Sequence, residues 1–249
     1  MANELAIACE DVSKRFYIYE RHDASLRQLF IRAFGRRAAA TRRAYFAISG
    51  FDLQVPRGEG VAILGHNGSG KSTVLRLIAG IYAPTSGVVR TLGRVATVIE
   101  LGAGFHPELT GSENIRLYGA ILGLSRRELA ARHEAVVAFA DIGDFVDTPV
   151  KYYSSGMQAR LAFAVAVCVE HEILLLDEVL AVGDESFRRK CLDHLHDYHR
   201  RGGTLVIASH DLDTVRSLCA RAVWMQNGHI VMTGDVDRVA AAYHASSSQ

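Results

Sequence analysis

No sign of charge dominates this chain of 249 residues: 28 lysines and arginines stand against 27 aspartates and glutamates, a formal net charge of +1. That balance excludes a global bias toward nucleic acid or toward an acidic partner. Cysteine is sparse. The four, Cys9, Cys168, Cys191 and Cys219, are scattered and form no CxxC pair, so a reducing compartment is the simplest setting. Cys9 and Cys168 sit in apolar stretches that read as core. Long apolar runs are missing too. The longest, Leu161–Val169, is broken by Glu170, His171 and Glu172 and is too short to cross a bilayer. The stretch MANELAIACEDVSK has no basic region followed by a long apolar one, so no secretory leader is expected. There is no internal repeat and no heptad run, and only Ser246–Gln249 reads as a disordered tail.

What is present points to one well-filled domain. Hydrophobic residues make up 49% of the chain, enough for a substantial core, and the length fits one domain with an inserted subdomain. Short β-branched runs alternate with longer helical patterns, the mark of an α/β fold with a mostly parallel sheet. Strands are expected at Leu5–Cys9, Ile48–Val55, Val61–Leu64, Val95–Ile99, Ile173–Leu176, Leu205–Ala208, Ala222–Met225 and His229–Met232. The last two flank Asn227-Gly228, a hairpin turn signal. Helices are expected at Ser72–Ala79, Gly111–Gly123, Arg126–Ala140, Gly156–Val169, Phe187–Arg201, Leu212–Leu218 and Val236–Tyr243. Strand signals vanish over about 102–169, which reads as an all-helical insertion into a core of about 1–99 and 171–249. Charge is uneven in one place: nine basic residues between Val12 and Arg43 face only Glu20 and Asp23. Within that island Ala24–Phe34 has an apolar face at helical spacing opposite Arg27, Gln28 and Arg32, a short amphipathic helix.

Gly65, His66, Asn67, Gly68, Ser69, Gly70, Lys71, Ser72 and Thr73 match the phosphate-loop pattern GxxxxGK[ST], with an apolar strand before it and a helix after it. Glycines let backbone N–H groups turn inward around a phosphate at the positive end of the helix. Lys71 is expected to contact the β- and γ-phosphates of ATP, Ser72 to ligate Mg²⁺, and Thr73 to add an α-phosphate contact. Ile173–Leu176 is an apolar strand ending in Asp177 and Glu178. Asp177 would hold the metal; Glu178, pointing elsewhere by strand alternation, would polarise the attacking water. His210, after the buried strand Leu205–Ala208, falls where a γ-phosphate would be sensed. Ser155 and Gln158 are spaced for a capping box at the start of the helix ending near Val169, and the small residues there also suit an anion.

Taken together, phosphate loop, helical stretch, small-residue helix start, acidic strand and histidine resemble the nucleotide-binding domain of ABC transporters over essentially the full length. The resemblance implies a P-loop NTPase (RecA-like) core with an antiparallel β-subdomain and an inserted all-helical subdomain. It implies a head-to-tail homodimer in which Tyr153–Met157 (YSSGM), at the place of the family's LSGGQ signature, closes on ATP held by the other copy. Ser154 and Gly156 would face that γ-phosphate. Asp184 matches the loop that communicates across the dimer, and Phe16 falls where the family stacks an aromatic ring on adenine. Glu100 stands where the family has a glutamine reaching the metal, and Met157 replaces the signature glutamine. The segments 100–115 (ELGAGFHPELTGSENI), 148–157 (TPVKYYSSGM) and 177–184 (DEVLAVGD) are similar to exporters of O-antigen, capsule and teichoic-acid polymers. That branch implies a polytopic permease dimer as partner, a lipid-linked polysaccharide as cargo, and a peripheral position on the cytoplasmic face of the inner membrane. It also places the helix over 24–34 at the membrane face. Rival readings are a motor of another ABC transporter, or a soluble ABC ATPase acting on ribosomes or DNA. One phosphate loop, no heptads and balanced charge count against the latter.

Overall fold

The structure, a computed structural model, describes residues 4–19, 42–99, 104–177 and 183–247. Glu100, Glu178 and the expected helix over 24–34 lie outside the described residues. In chain order the strands are β1 (Leu5–Tyr19), β2 (Arg42–Pro56), β3 (Gly60–Leu64), β4 (Ser86–Thr91), β5 (Val95–Val98), β6 (Ile173–Asp177), β7 (Thr204–Ala208), β8 (Arg221–Gln226) and β9 (His229–Asp235). The helices are α1 (Lys71–Ile78), α2 (Gly111–Ile121), α3 (Arg126–Ala140), α4 (Ser155–Cys168), α5 (Glu185–Arg200), α6 (Leu212–Leu218) and α7 (Val236–Ser247). Six strands form the central sheet in the order β5-β6-β7-β3-β8-β9, parallel except for the antiparallel edge strand β9. Three more form an antiparallel sheet in the order β2-β1-β4. The fold is α/β, with both kinds of sheet.

Side-chain alternation splits the core in two. On β3, β6, β7 and β8 one parity (Leu64, Leu174, Leu176, Leu205, Ile207, Trp224) meets Phe163 and Val167 of α4 and Phe187 and Leu195 of α5. The other parity (Ile63, Leu175, Val206, Val223) meets Leu75 and Ile78 of α1 and, from the antiparallel sheet, Ile7, Ile48, Phe51 and Val55. Covering both faces of a parallel sheet explains why its strands read as continuous apolar runs. Each such fully buried aliphatic side chain contributes roughly 1.5–3 kcal/mol.

Between β5 and β6 the described chain carries no strand, only α2, α3, two short 3₁₀ turns and α4, around a small core of Ile115, Val136, Leu161 and Val165. Both α2 and α3 begin with a complete capping box, Thr110 with Glu113 and Ser125 with Glu128. The box expected at Ser155 is not formed. The N-cap is Ser154, whose Oγ accepts from the Met157 N–H at 3.2 Å, while Gln158 donates to the Val150 carbonyl. The helix starts one residue earlier than expected, at Ser155, so the cap falls on Ser154 and the residue three on from it is Met157, which has no carboxamide to complete a box.

Asn114, fully buried on α2, sews the loop before it in place. Its Oδ1 accepts from the His106 N–H at 2.7 Å, and its Nδ2 lies 3.0–3.1 Å from the carbonyls of His106, Leu109 and Thr110. That loop is joined in turn to residues 148–151. Val150 N donates to the Leu109 carbonyl and Lys151 N to Pro107, each at 2.9 Å, and Lys151 Nζ pairs with Glu108 at 2.7 Å. The segments 104–115 and 148–157 thus form one spatial unit.

All four cysteines are free; Cys9, Cys191 and Cys219 are buried, whereas Cys168 is half-buried. His171 stands where the chain returns from the helices to β6. Its Nδ1 lies 2.8 Å from the Val169 carbonyl and its ring 4.7 Å from Tyr198, and burial pushes the imidazole down to about 4.

Two outcomes are expected. Asn114→Leu leaves the His106 N–H without its acceptor and should cost roughly 3 kcal/mol, lowering the thermal midpoint by about 10 °C. As for pH, the unfolded chain takes a proton on His171 near 6.5 that the folded chain refuses until about 4. Stability present at neutral pH should therefore be lost as pH falls through that window, and His171→Gln should reduce the slope of urea midpoint against pH there.

Candidate functional site

Register sets the geometry of the site. Asp177 of β6 pairs with Ala208 of β7, and Ala208 pairs with Ile63 of β3. Three adjacent parallel strands therefore end level, and the phosphate loop, Asp177 and Ser209-His210 emerge from one carboxyl edge. Asp177 is half-buried, Ser209 buried and His210 exposed.

The loop leads into α1 through Gly70, whose φ of 109° only glycine adopts freely and whose absent Cβ would stand 2.5 Å from Ile48 Cδ1 and 2.9 Å from the Ala47 carbonyl. No side chain caps α1, and its first turn has no acidic residue. Its leading N–H groups open into a cleft of about 540 Å³ lined by Asn67, Gly68, Lys71, Ser72 and Thr73. An uncapped helix start is a ready anion site. Lys71 is buried and arcs back along the loop, its Nζ 2.7 Å from the Gly65 carbonyl and 3.2 Å from that of His66. His66 lies with its ring 5.2 Å from Tyr243 on α7, and the Ser69 N–H donates to the His66 carbonyl at 3.1 Å.

The rest of the cleft wall is contributed from afar. The turn Asn227-Gly228, with positive φ at both residues, closes the β8–β9 hairpin and donates the Gly228 N–H to the Ser69 carbonyl at 3.0 Å. The Asn-Gly pair signals the turn in the sequence but gives no sign that the turn braces the loop. Tyr45, Phe46 and Ala47 of β2 line the cleft, with Tyr45 and Phe46 exposed on opposite faces of the strand, Tyr45 beside Phe16 and Phe46 beside Arg15. Phe16 does not line it. Its half-buried ring lies 5.8 Å from Tyr45 and 5.4 Å from Tyr82, one layer back. Phe16 and Tyr45 are direct cross-strand partners. Only that pairing, invisible before β1 and β2 are brought together, brings Tyr45 forward.

For a divalent cation the described donors are the Ser72 hydroxyl in the cleft and the Asp177 carboxylate at the strand end. No group of three or more His, Cys, Asp or Glu able to hold a metal occurs among the described residues. Few hard oxygen donors suit Mg²⁺, which keeps waters and takes phosphate oxygens.

Ser154, Gly156 and Asp184 are not in this cleft. Ser154 caps α4 and is exposed. Gly156 sits in the first turn of that helix, where glycine costs about 1 kcal/mol relative to alanine. A Cβ there would meet nothing closer than Ser154 Oγ at 3.8 Å, so no contact within this chain requires glycine. Asp184 is the N-cap of α5, accepting from the Phe187 N–H at 2.9 Å. A second cleft, about 640 Å³, lies at the amino edge of the sheet, where Arg94 pairs with Glu128 and Arg132 with Glu170.

The ABC transporter family matches residues 48–181. An O-antigen export system ATP-binding protein of Klebsiella pneumoniae is 42% identical over 240 residues, covering 96% of this chain and 98% of that protein. One from Myxococcus xanthus is 46% identical over 214 residues, covering 86% of this chain; the match spans about half (49%) of that relative's length. A solved ATP-binding cassette, described as dimeric and in a post-hydrolysis state with ADP and Pi, aligns with a TM-score of 0.73 at 22% identity, over 92% of this chain and 98% of that one. At that identity the likeness is one of fold.

The cleft geometry yields a discriminating outcome. Tyr45 and Phe46 face opposite sides of β2, so only one of Tyr45→Ala and Phe46→Ala should weaken binding of a fluorescent ATP analogue by roughly tenfold through lost base stacking. Phe16→Ala, acting only through Tyr45, should weaken it less.

Proposed function

Since the chain belongs to the ABC transporter family, we propose that it is the ATP-hydrolysing subunit of an exporter that moves a lipid-linked polysaccharide across the cytoplasmic membrane. The observation that carries the catalytic half is the level ending of β3, β6 and β7, which brings the phosphate loop, Asp177 and His210 to one edge. In this reading the α1 N–H groups and the Lys71 ammonium bind the β- and γ-phosphates. One aromatic side chain of β2, Tyr45 or Phe46, stacks on the base. Ser72 and Asp177 would hold Mg²⁺, which supplies charge neutralisation on the phosphate oxygens when bound. Glu178, next to Asp177 in sequence, takes the proton of the attacking water, and His210 donates to the γ-phosphate. Glu100 remains part of the proposed metal surroundings by its place after β5.

A second copy completes the site. The unexplained openness at Gly156 and the exposed cap Ser154 leave room for a γ-phosphate held by the partner, with Asp184 at the same contact. No helix among the described residues is long and apolar enough to cross a membrane, so the proposal includes a separate polytopic permease dimer and a peripheral cytoplasmic position. The relatives' export systems carry the cargo assignment.

Co-expression with candidate polytopic membrane proteins tests both halves. A permease should co-purify, and a lipid-linked glycan should stimulate ATP turnover. Stimulation by ribosomes or DNA instead would overturn the export reading. Glu178→Gln should abolish turnover and give an ATP-dependent dimer on size-exclusion chromatography; undiminished turnover would place the base elsewhere.

A further inference from the structure

Helix α5 begins at Asp184 and one turn later presents Arg188, whose backbone N–H donates to the Asp184 carbonyl at 3.0 Å. The Arg188 guanidinium reaches across to Asp211, with Nη2 2.6 Å from Oδ2. Asp211 directly follows His210 and is held on every side. Its N–H donates to Ser209 Oγ at 3.0 Å. Its carboxylate caps α6, accepting from Thr214 Oγ1 at 2.7 Å and from the N–H groups of Asp213 and Thr214. Burial works against its charge, yet the Thr214 bonds and Arg188 hold the carboxyl below the usual carboxylate range.

We propose that Arg188 is a positioning residue for ATP hydrolysis, tying the start of α5 at Asp184 to the residue that follows His210. This rests on the ATPase reading above. The pair is partly solvated, with side-chain exposures of 41% and 32%, and pairs of that kind add little to stability. Its worth lies in geometry. The cap fixes Asp211 to α6; among the described residues, Arg188 is the side chain of α5 bonded to it. The ion pair therefore joins the start of α5, at the proposed dimer contact, to the loop of His210, beside the packing of α5 on α6 through Phe187, Val215 and Leu218.

The test uses the full chain and follows steady-state turnover, affinity for a fluorescent ATP analogue and thermal midpoint in four forms: wild type, Arg188→Ala, Asp211→Asn and the double variant. Asparagine caps a helix as well as aspartate, so Asp211→Asn keeps α6 capped while removing the charge. Each single change should lower kcat about tenfold with nucleotide affinity within about twofold of wild type, and the double variant should fall no further than either. Arg188→Lys should recover part of the loss, since one ammonium can still reach the carboxylate. Unchanged kcat in Arg188→Ala, losses that multiply in the double variant, or a kcat loss matched by an equal loss of affinity would overturn the proposal. A failure of Arg188→Ala to fold would itself contradict it, since the ion pair is assigned little stability; Asp211→Asn then reports on turnover independently. Wild-type chain that binds ATP but never turns it over sinks the ATPase reading as well; equal turnover in all four forms sinks Arg188 alone.

Discussion

The proposed nucleotide site depends on three parallel strands ending at the same level. With Ile63, Ala208 and Asp177 in register, the groups that leave β3, β7 and β6 reach one edge together. A one-residue slip would turn each strand's side chains to the opposite face and move its last residue out of line. Burial on both faces guards against slippage along the sheet plane only weakly, because both parities are apolar. At that one edge the strands lead toward the glycine turn into α1 and the capped starts of α5 and α6.

The phosphate-loop segment 65–73 is braced from outside itself. Gly228 of the β8–β9 turn bonds to Ser69, Ile48 and Ala47 close over Gly70, and Tyr243 lies against His66. No side chain caps the start of α1, so the loop before it is held by its neighbours. The bracing elements come from β2, β8 and α7, so the order of the loop draws on the antiparallel sheet and the last helix as well as on the central sheet.

The helical stretch is organised around a polar centre as well as an apolar one. Asn114 satisfies one donor and several acceptors of the loop before α2, and that loop is bonded to residues 148–151 just ahead of Ser154. Two segments far apart in sequence, each reading as a coupling or signature element, are therefore mechanically one piece. Movement of one carries the other.

Much of this was legible along the chain. The phosphate loop, the acidic strand and the bounds of α3 and α6 follow from local chemistry: glycine spacing, apolar runs and helix periodicity act between near neighbours. Strand β4 was not legible, because at an exposed sheet edge only Val89 is half-buried and no apolar alternation marks it. The same holds for the outer halves of β1 and β2, where pairing with each other replaces burial. By itself the sequence determined which groups could touch a phosphate, since that capacity resides in residue types at fixed short spacings. Only the tertiary structure decided that β2 brings Tyr45 and Phe46 to the cleft, that Asn227-Gly228 braces the loop, and that Arg188 meets Asp211. Those are contacts between segments distant in sequence, and their geometry exists only once the sheets are paired and the helices are seated on them.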